Sequence, residues 1–142
     1  MDGSSSGLAK LEGVMMCPVI HLDTNCMISY AGEVSESVVA RVEEWIMEDR
    51  KLCCSAMAWA EFLCGPILPE EVSDMEALLN QVAPVTPFLA LEGARLFKET
   101  RRRSRSLADC LIAATAIAAH APLASNNRDN FAPFVPHGLE LL

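Results

Sequence analysis

At 142 residues the chain fits one domain and is long enough to bury a real core. Its net charge of −8 argues against holding long duplex DNA by counterion release, although it leaves room for a local basic patch. No apolar run approaches the ~18 residues of a membrane span, and no basic stretch leads into an apolar one as a secretory signal would.

Residues 1–16 are Gly/Ser-rich with little pattern and read as a disordered leader, an expression-derived segment or an over-extended start, with Met15 or Met16 as alternative initiators. The domain is therefore expected over 17–142. Cys17-Pro18-Val19-Ile20-His21-Leu22 is a short apolar run suited to a buried strand. It ends at Asp23-Thr24-Asn25, where a helix opens. Asp23 stands where parallel α/β sheets bind ligands, beyond the carboxyl end of a strand. Either Asp23 or Thr24 could serve as the N-cap.

Ser35 is placed to cap a second helix reaching about Arg50, with Val38, Val42, Trp45 and Ile46 on its inner face. Leu52-Cys53-Cys54-Ser55 reads as a strand, and Ala56 to Cys64 as a helix stopped by Gly65-Pro66. Glu61 is the only charge between Lys51 and Glu70, set between Trp59 and Phe62, and is open to a structural or a functional reading. Pro69 opens a helix with Val72, Met75, Leu78 and Leu79 inward, and Val82 to Val85 is a brief strand. Thr86-Pro87 starts the next helix, with Ala90, Ala94 and Phe97 expected on one face. It ends in Lys98 to Arg105, eight positions that hold five of the eleven Lys and Arg residues. Cations there complement the helix dipole, and Arg101, Arg102, Arg103 and Arg105 also stand where an anionic substrate could meet them.

Ser106-Leu107-Ala108-Asp109 then leads into ten uncharged residues rich in Ala, Leu and Ile. A helix apolar on every side is a buried helix, so Asp109 carries a carboxylate to the edge of a core. Ser106 and Asp109 also match a capping box. Pro122 to Ser125 is the last core strand, followed by a polar loop from Asn126 to Phe131, and Leu139 to Leu142 reads as a short final strand. Strands alternating with helices imply an α/β fold: a central parallel sheet of four to five short strands with helices on both faces.

The six cysteines, Cys17, Cys26, Cys53, Cys54, Cys64 and Cys110, form no Cys-x-x-Cys pair and lie mostly in apolar runs. They read as free thiols in a reducing cytoplasm. His21, His120 and His137 form no ligand pattern and read as structural or solvated.

Asp23, Glu61 and Asp109 share one setting, a carboxylate at the rim of an apolar element, and Asn127 and Asp129 follow another strand end. Carboxylates gathered closely repel unless protonated or bridged by a cation, and hard oxygen ligands select Mg²⁺ or Mn²⁺. Such a site suits phosphoryl chemistry.

The order Ile20-His21-Leu22-Asp23-Thr24-Asn25, then Ser55 to Gly65 around Glu61, then Leu107-Ala108-Asp109-Cys110-Leu111-Ile112-Ala113-Ala114-Thr115-Ala116, then Leu123-Ala124-Ser125-Asn126-Asn127 with Phe131, resembles the PIN-domain ribonucleases. It is most similar to the VapC toxins of prokaryotic toxin–antitoxin pairs. The resemblance implies a Mg²⁺- or Mn²⁺-dependent endoribonuclease in which Asp23, Glu61 and Asp109 are metal-binding catalytic carboxylates and Thr24 helps orient the site. It also implies homodimers and a small antitoxin whose tail enters the acidic pocket. The family's fourth acidic position falls on Asn127, which carries no charge, and Asp129 is placed to compensate if its loop turns inward. Two other readings compete. One is a PIN fold acting as an RNA- or protein-binding module, against which the three retained carboxylates argue. The other is an unrelated metal-dependent phosphatase, which in the haloacid-dehalogenase pattern would place a second Asp where Asn25 stands.

Overall fold

The computed structural model describes residues 19–100 and 106–142; the segment 1–16, Cys17, Pro18 and the arginines at 101–103 and 105 lie outside them. The elements run β1 (Val19–Leu22), α1 (Thr24–Ala31), α2 (Glu36–Met47), β2 (Lys51–Ser55), α3 (Ala56–Cys64), α4 (Pro69–Leu78), β3 (Gln81–Ala83), α5 (Pro87–Glu99), α6 (Leu107–Ala118), β4 (Leu123–Ala124) and α7 (Arg128–Phe131), followed by a 3₁₀ segment Ala132–His137.

The four strands form one parallel sheet in the order β3-β2-β1-β4. Consecutive residues are buried along β1 (Ile20, His21, Leu22) and β2 (Leu52 to Ser55). Both faces of the sheet are therefore covered, as parallel sheets require. From β1 the chain winds outward through β2 and β3, then returns to β1's other side as β4. The reversal of direction falls between β1 and β4, where open α/β sheets form a crevice at their carboxyl ends. The seam is closed by backbone bonds from His21 N to Pro122 O (2.9 Å) and from Asp23 N to Ala124 O (3.1 Å).

Five helices begin where the sequence supplies a side-chain cap. Ser35 Oγ accepts from Val38 N, Ser55 Oγ from Ala58 N, Thr86 Oγ1 from Leu89 N and Ser106 Oγ from Asp109 N. At the head of α1 the cap is Asp23, not Thr24: Asp23 Oδ1 accepts from Cys26 N at 2.7 Å.

Helix α6 is buried without interruption from Cys110 to Ala116. Its small side chains let α5 approach closely. A Cβ added at Gly93 would stand 2.6 Å from Leu111 Cδ2. This contact corrects the face expected for α5: Leu89, Gly93 and Leu96 are buried, Ala90 and Ala94 are exposed, and Phe97 is half-buried. The true stripe has the i, i+4, i+7 spacing but is centred on a glycine, which hydrophobicity does not count.

Three further differences have local causes. Ile46 is 40% exposed because Val38, Val42 and Trp45 already fill the inner face of α2. Strand β3 covers Gln81–Ala83, ending before Pro84, which has no N–H to donate to a ladder. The expected final strand shrinks to one parallel bridge, Leu141 with Leu123, because β4 is only two residues long.

The five described cysteines are free, four buried and Cys64 exposed. His21 is buried in β1, where desolvation lowers its pKa and keeps it neutral. His120 sits in an exposed turn at φ 53°, and His137 Nδ1 lies 3.4 Å from Glu99 Oε1. Among the described residues no helix is long and apolar enough to cross a membrane.

Candidate metal centre and catalytic cleft

Beyond the carboxyl ends of β1 and β4 lies a cleft of about 250 Å³ lined by Asp23, Thr24, Glu61, Asp109, Asn127 and Asn130, with Asn25, Ile112 and Phe131 beside them. Three distant segments thus deliver their carboxylates to one space.

Asp23 is held most tightly. Strand β1 ends on it, its backbone is tied to β4, and its side chain is 2% exposed. Burial pushes its pKa up to about 6, with the negative charges of Asp109 and Glu61 adding to the rise. Hydrogen bonds from the Ser125 hydroxyl and the Cys26 N–H act in the opposite direction. Ser125 in turn accepts from Asn127 N at 2.9 Å, linking Asp23 to the loop after β4.

Glu61 comes from α3, which is anchored by the buried side chains of Ala58 and Phe62, with Trp59 stacked on Phe62 along the same helix at 5.3 Å between ring centroids. This leaves Glu61 half-buried at the helix flank, where its Oε1 accepts from the Thr24 hydroxyl at 2.7 Å. Asp109 stands in the first turn of α6, on the backbone N–H capped by Ser106, with Ile112 one turn further along the same helix. Capping and presentation of the carboxylate are compatible: Ser106 caps, and Asp109 lines the cleft.

Asn127 also lines the cleft, whereas Asp129 does not and is exposed. Residues 127, 130 and 131 share one side of the short turn α7, at i, i+3 and i+4, so position 129 faces away. Asp129 therefore does not replace the charge missing at Asn127. Asn130 and Ser125 escaped the sequence reading. Ser125 carried one signal, a hydroxyl directly after the strand residues Leu123 and Ala124, where a side chain can reach back to the neighbouring strand end.

Could these residues hold a divalent cation? Among the described residues no three His, Cys, Asp or Glu side chains converge into a ready-made cage. Mg²⁺ does not need one: it keeps several waters and is commonly held by one or two carboxylates together with substrate phosphate oxygens. An all-oxygen cleft with mutually repelling carboxylates has the donor chemistry for a partly hydrated ion of that kind.

The PIN domain family model matches residues 20–133. The chain belongs to the PIN-domain family. No curated protein matches it. Among solved structures, this PIN domain is similar to VapBC from Salmonella typhimurium bound to DNA (18% identity, TM-score 0.68, covering 87% of this chain and 96% of that one). It is also similar to VapBC2 from Rickettsia felis bound to a promoter DNA fragment (19%, TM-score 0.67, 87% and 97%). A third is FitAB bound to the IR36 DNA fragment (26%, TM-score 0.65, 87% and 93%).

Proposed function

We propose that this PIN domain is a Mg²⁺- or Mn²⁺-dependent endoribonuclease that serves as the toxin of a VapBC-type toxin–antitoxin pair. The observation that carries the reading is the arrival of Asp23, Glu61 and Asp109, from β1, α3 and α6, in one cleft at the reversal point of the sheet.

In this reading Asp23, Glu61 and Asp109 are the residues that would receive a partly hydrated cation, one or two of them binding it directly together with phosphate oxygens of the RNA. A divalent cation bound there supplies charge neutralisation at the phosphate and acidifies a bound water. The chain's own groups prepare the site. The Cys26 N–H and Ser125 hydroxyl fix the Asp23 carboxylate, and the Thr24 hydroxyl fixes Glu61. Asn127 contributes a neutral amide, so the negative potential rests on three carboxylates and not four. Phe131 and Ile112 form an apolar wall that limits water on one side. Arg101, Arg102, Arg103 and Arg105, which precede Asp109 in the sequence, are assigned to the RNA backbone in this reading.

The antitoxin reading draws on the toxin–antitoxin complexes among the similar structures and on a second surface of this chain. A groove of about 510 Å³ has Tyr30, Val39, Met75 and Leu78 along it, flanked by acidic residues that include Glu43 and Asp74. An apolar floor with an acidic rim complements an amphipathic helix carrying basic flanks. Homodimerisation and action in the cytoplasm complete the proposal.

The test is cleavage of single-stranded and structured RNA with Mg²⁺ or Mn²⁺, with excess chelator, and with Asp109→Asn. Loss of cleavage by on the order of 10²-fold or more, in chelator and in the variant alike, is expected. Circular dichroism should show the variant still folded. Undiminished cleavage in either arm would overturn the metal mechanism.

A further inference from the structure

A shallow notch is lined by Cys26, Arg41, Trp45, Ser125 and Asn126. It borders the catalytic cleft directly. Ser125 bonds Asp23, and Asn127, one residue beyond Asn126, lines the cleft. The charges of Asp23 and Arg41 both reach the Cys26 thiol between them.

Arg41 differs from the other described arginines. Arg50 pairs with Glu48, Arg95 with Glu92 and Glu99, and Arg128 donates to the Leu142 carbonyl. Helix α2 offers Arg41 a carboxylate at i+3, Glu44, the usual partner on an exposed helix face. Instead the guanidinium lies over the Trp45 ring, 5.0 Å from its centroid. The ring contact restrains the long side chain while the residue stays exposed, so less freedom is lost when its donors meet an anion. The indole beneath is itself buried, which gives the cation a fixed base.

A polynucleotide entering a cleft of three carboxylates is repelled at every phosphate except where a cation offsets the field. The loop Ser125–Asn127 leads out of the cleft, and the exposed Arg41 shares a notch with Ser125 and Asn126 of that loop. We propose that Arg41, stacked on Trp45 beside Asn126, binds a backbone phosphate of the RNA next to the one held in the acidic cleft. The proposal rests on the ribonuclease reading above. Arg41 is a substrate-binding residue in this scheme, with no part in the bond-breaking step.

The experiment compares Arg41→Gln and Arg41→Lys, each in an Asp109→Asn background so that RNA binds without being cut. Affinity for a single-stranded RNA oligonucleotide is titrated over a salt series in Mg²⁺. The Gln side chain keeps the aliphatic cover of Trp45 while removing the charge. Arg41→Gln should bind about tenfold more weakly, the equivalent of one charge-assisted contact. Its slope of log affinity against log salt should fall by about 0.7, the value for one phosphate on a single strand. Arg41→Lys should restore the slope. In the cleaving protein, Arg41→Gln should raise KM with kcat unchanged. A salt slope unmoved by Arg41→Gln, in protein that binds RNA, overturns this inference and leaves the ribonuclease reading standing. Protein with Arg41 intact that binds no RNA at any salt overturns both.

Discussion

Helix α6 takes part in two regions of opposite character. Toward α5 it packs small and branched apolar side chains so tightly that Gly93 has no room for a Cβ against Leu111. Two residues earlier, Asp109 lines a cleft where burial, with the charges of Asp109 and Glu61 adding to it, raises the pKa of Asp23 to about 6. The first region holds the fold together, and the second works against it. They meet on one helix, but Asp109 and Leu111 are two residues apart and so on different sides of it, and each region can be broken without the other.

The largest separation is expected from Gly93→Val. Forcing two methyl groups against Leu111 should destabilise the protein by about 1–3 kcal/mol. Chemical denaturation measures this, and RNA cleavage per folded molecule should stay close to wild type. A fall in cleavage as large as that of Asp109→Asn would mean that the two regions are mechanically coupled.

Asp23→Asn should do the reverse. The folded chain binds the Asp23 proton more tightly than the unfolded chain does, so stability falls as pH rises from about 4 to about 6 and stays lower above that range. Asn keeps an oxygen for the Cys26 N–H but carries no charge. In chelator at pH 7–8 the variant should therefore be more stable than wild type, on the order of 1–2 kcal/mol, and should lose the pH dependence. Thermal melts across pH test this, with Mg²⁺ raising the wild-type midpoint and not that of the variant. Cleavage should be abolished. A variant less stable than wild type at high pH would show that the capping bond outweighs the charge.

The smallest effect belongs to Thr24→Val. It removes the hydroxyl that Glu61 accepts from and should cost about 1 kcal/mol or less. Cleavage should fall by roughly 3- to 10-fold, because Glu61 gains freedom while keeping its charge. Kinetics at saturating Mg²⁺ separate this orienting role from simple loss of metal.

The three carboxylates could be read from sequence because each sits in a local setting that is costly for a charge: a strand end, a Trp–Phe neighbourhood and the head of a buried helix. Convergence on one cleft added the tertiary fact that local settings cannot supply. Other features were hidden for identifiable reasons. The inner face of α5 is centred on Gly93, whose contribution is absence of a side chain, so counting apolar residues selected Ala90 and Ala94 instead. Asp129 and Asn130 are adjacent and both polar, and only the turn α7 decides that one faces solvent and the other the cleft. Ser125 acts through a neighbouring strand, a partner more than a hundred residues from Asp23 along the chain.

The bonds that steady the two best-ordered carboxylates also set a limit on denticity. Asp23 Oδ1 is committed to the N-terminus of α1, and Glu61 Oε1 to the Thr24 hydroxyl. An oxygen that already accepts a hydrogen bond is the poorer ligand, so on the proposed metal reading each of these carboxylates would meet an ion mainly through one oxygen. A large cation that gathers many oxygens, often from chelating carboxylates, gains little from such a pair, whereas a small octahedral ion that keeps its waters is well matched. On that reading, ion size would be discriminated by the hydrogen bonds behind the carboxylates, ahead of any contact with the ion itself.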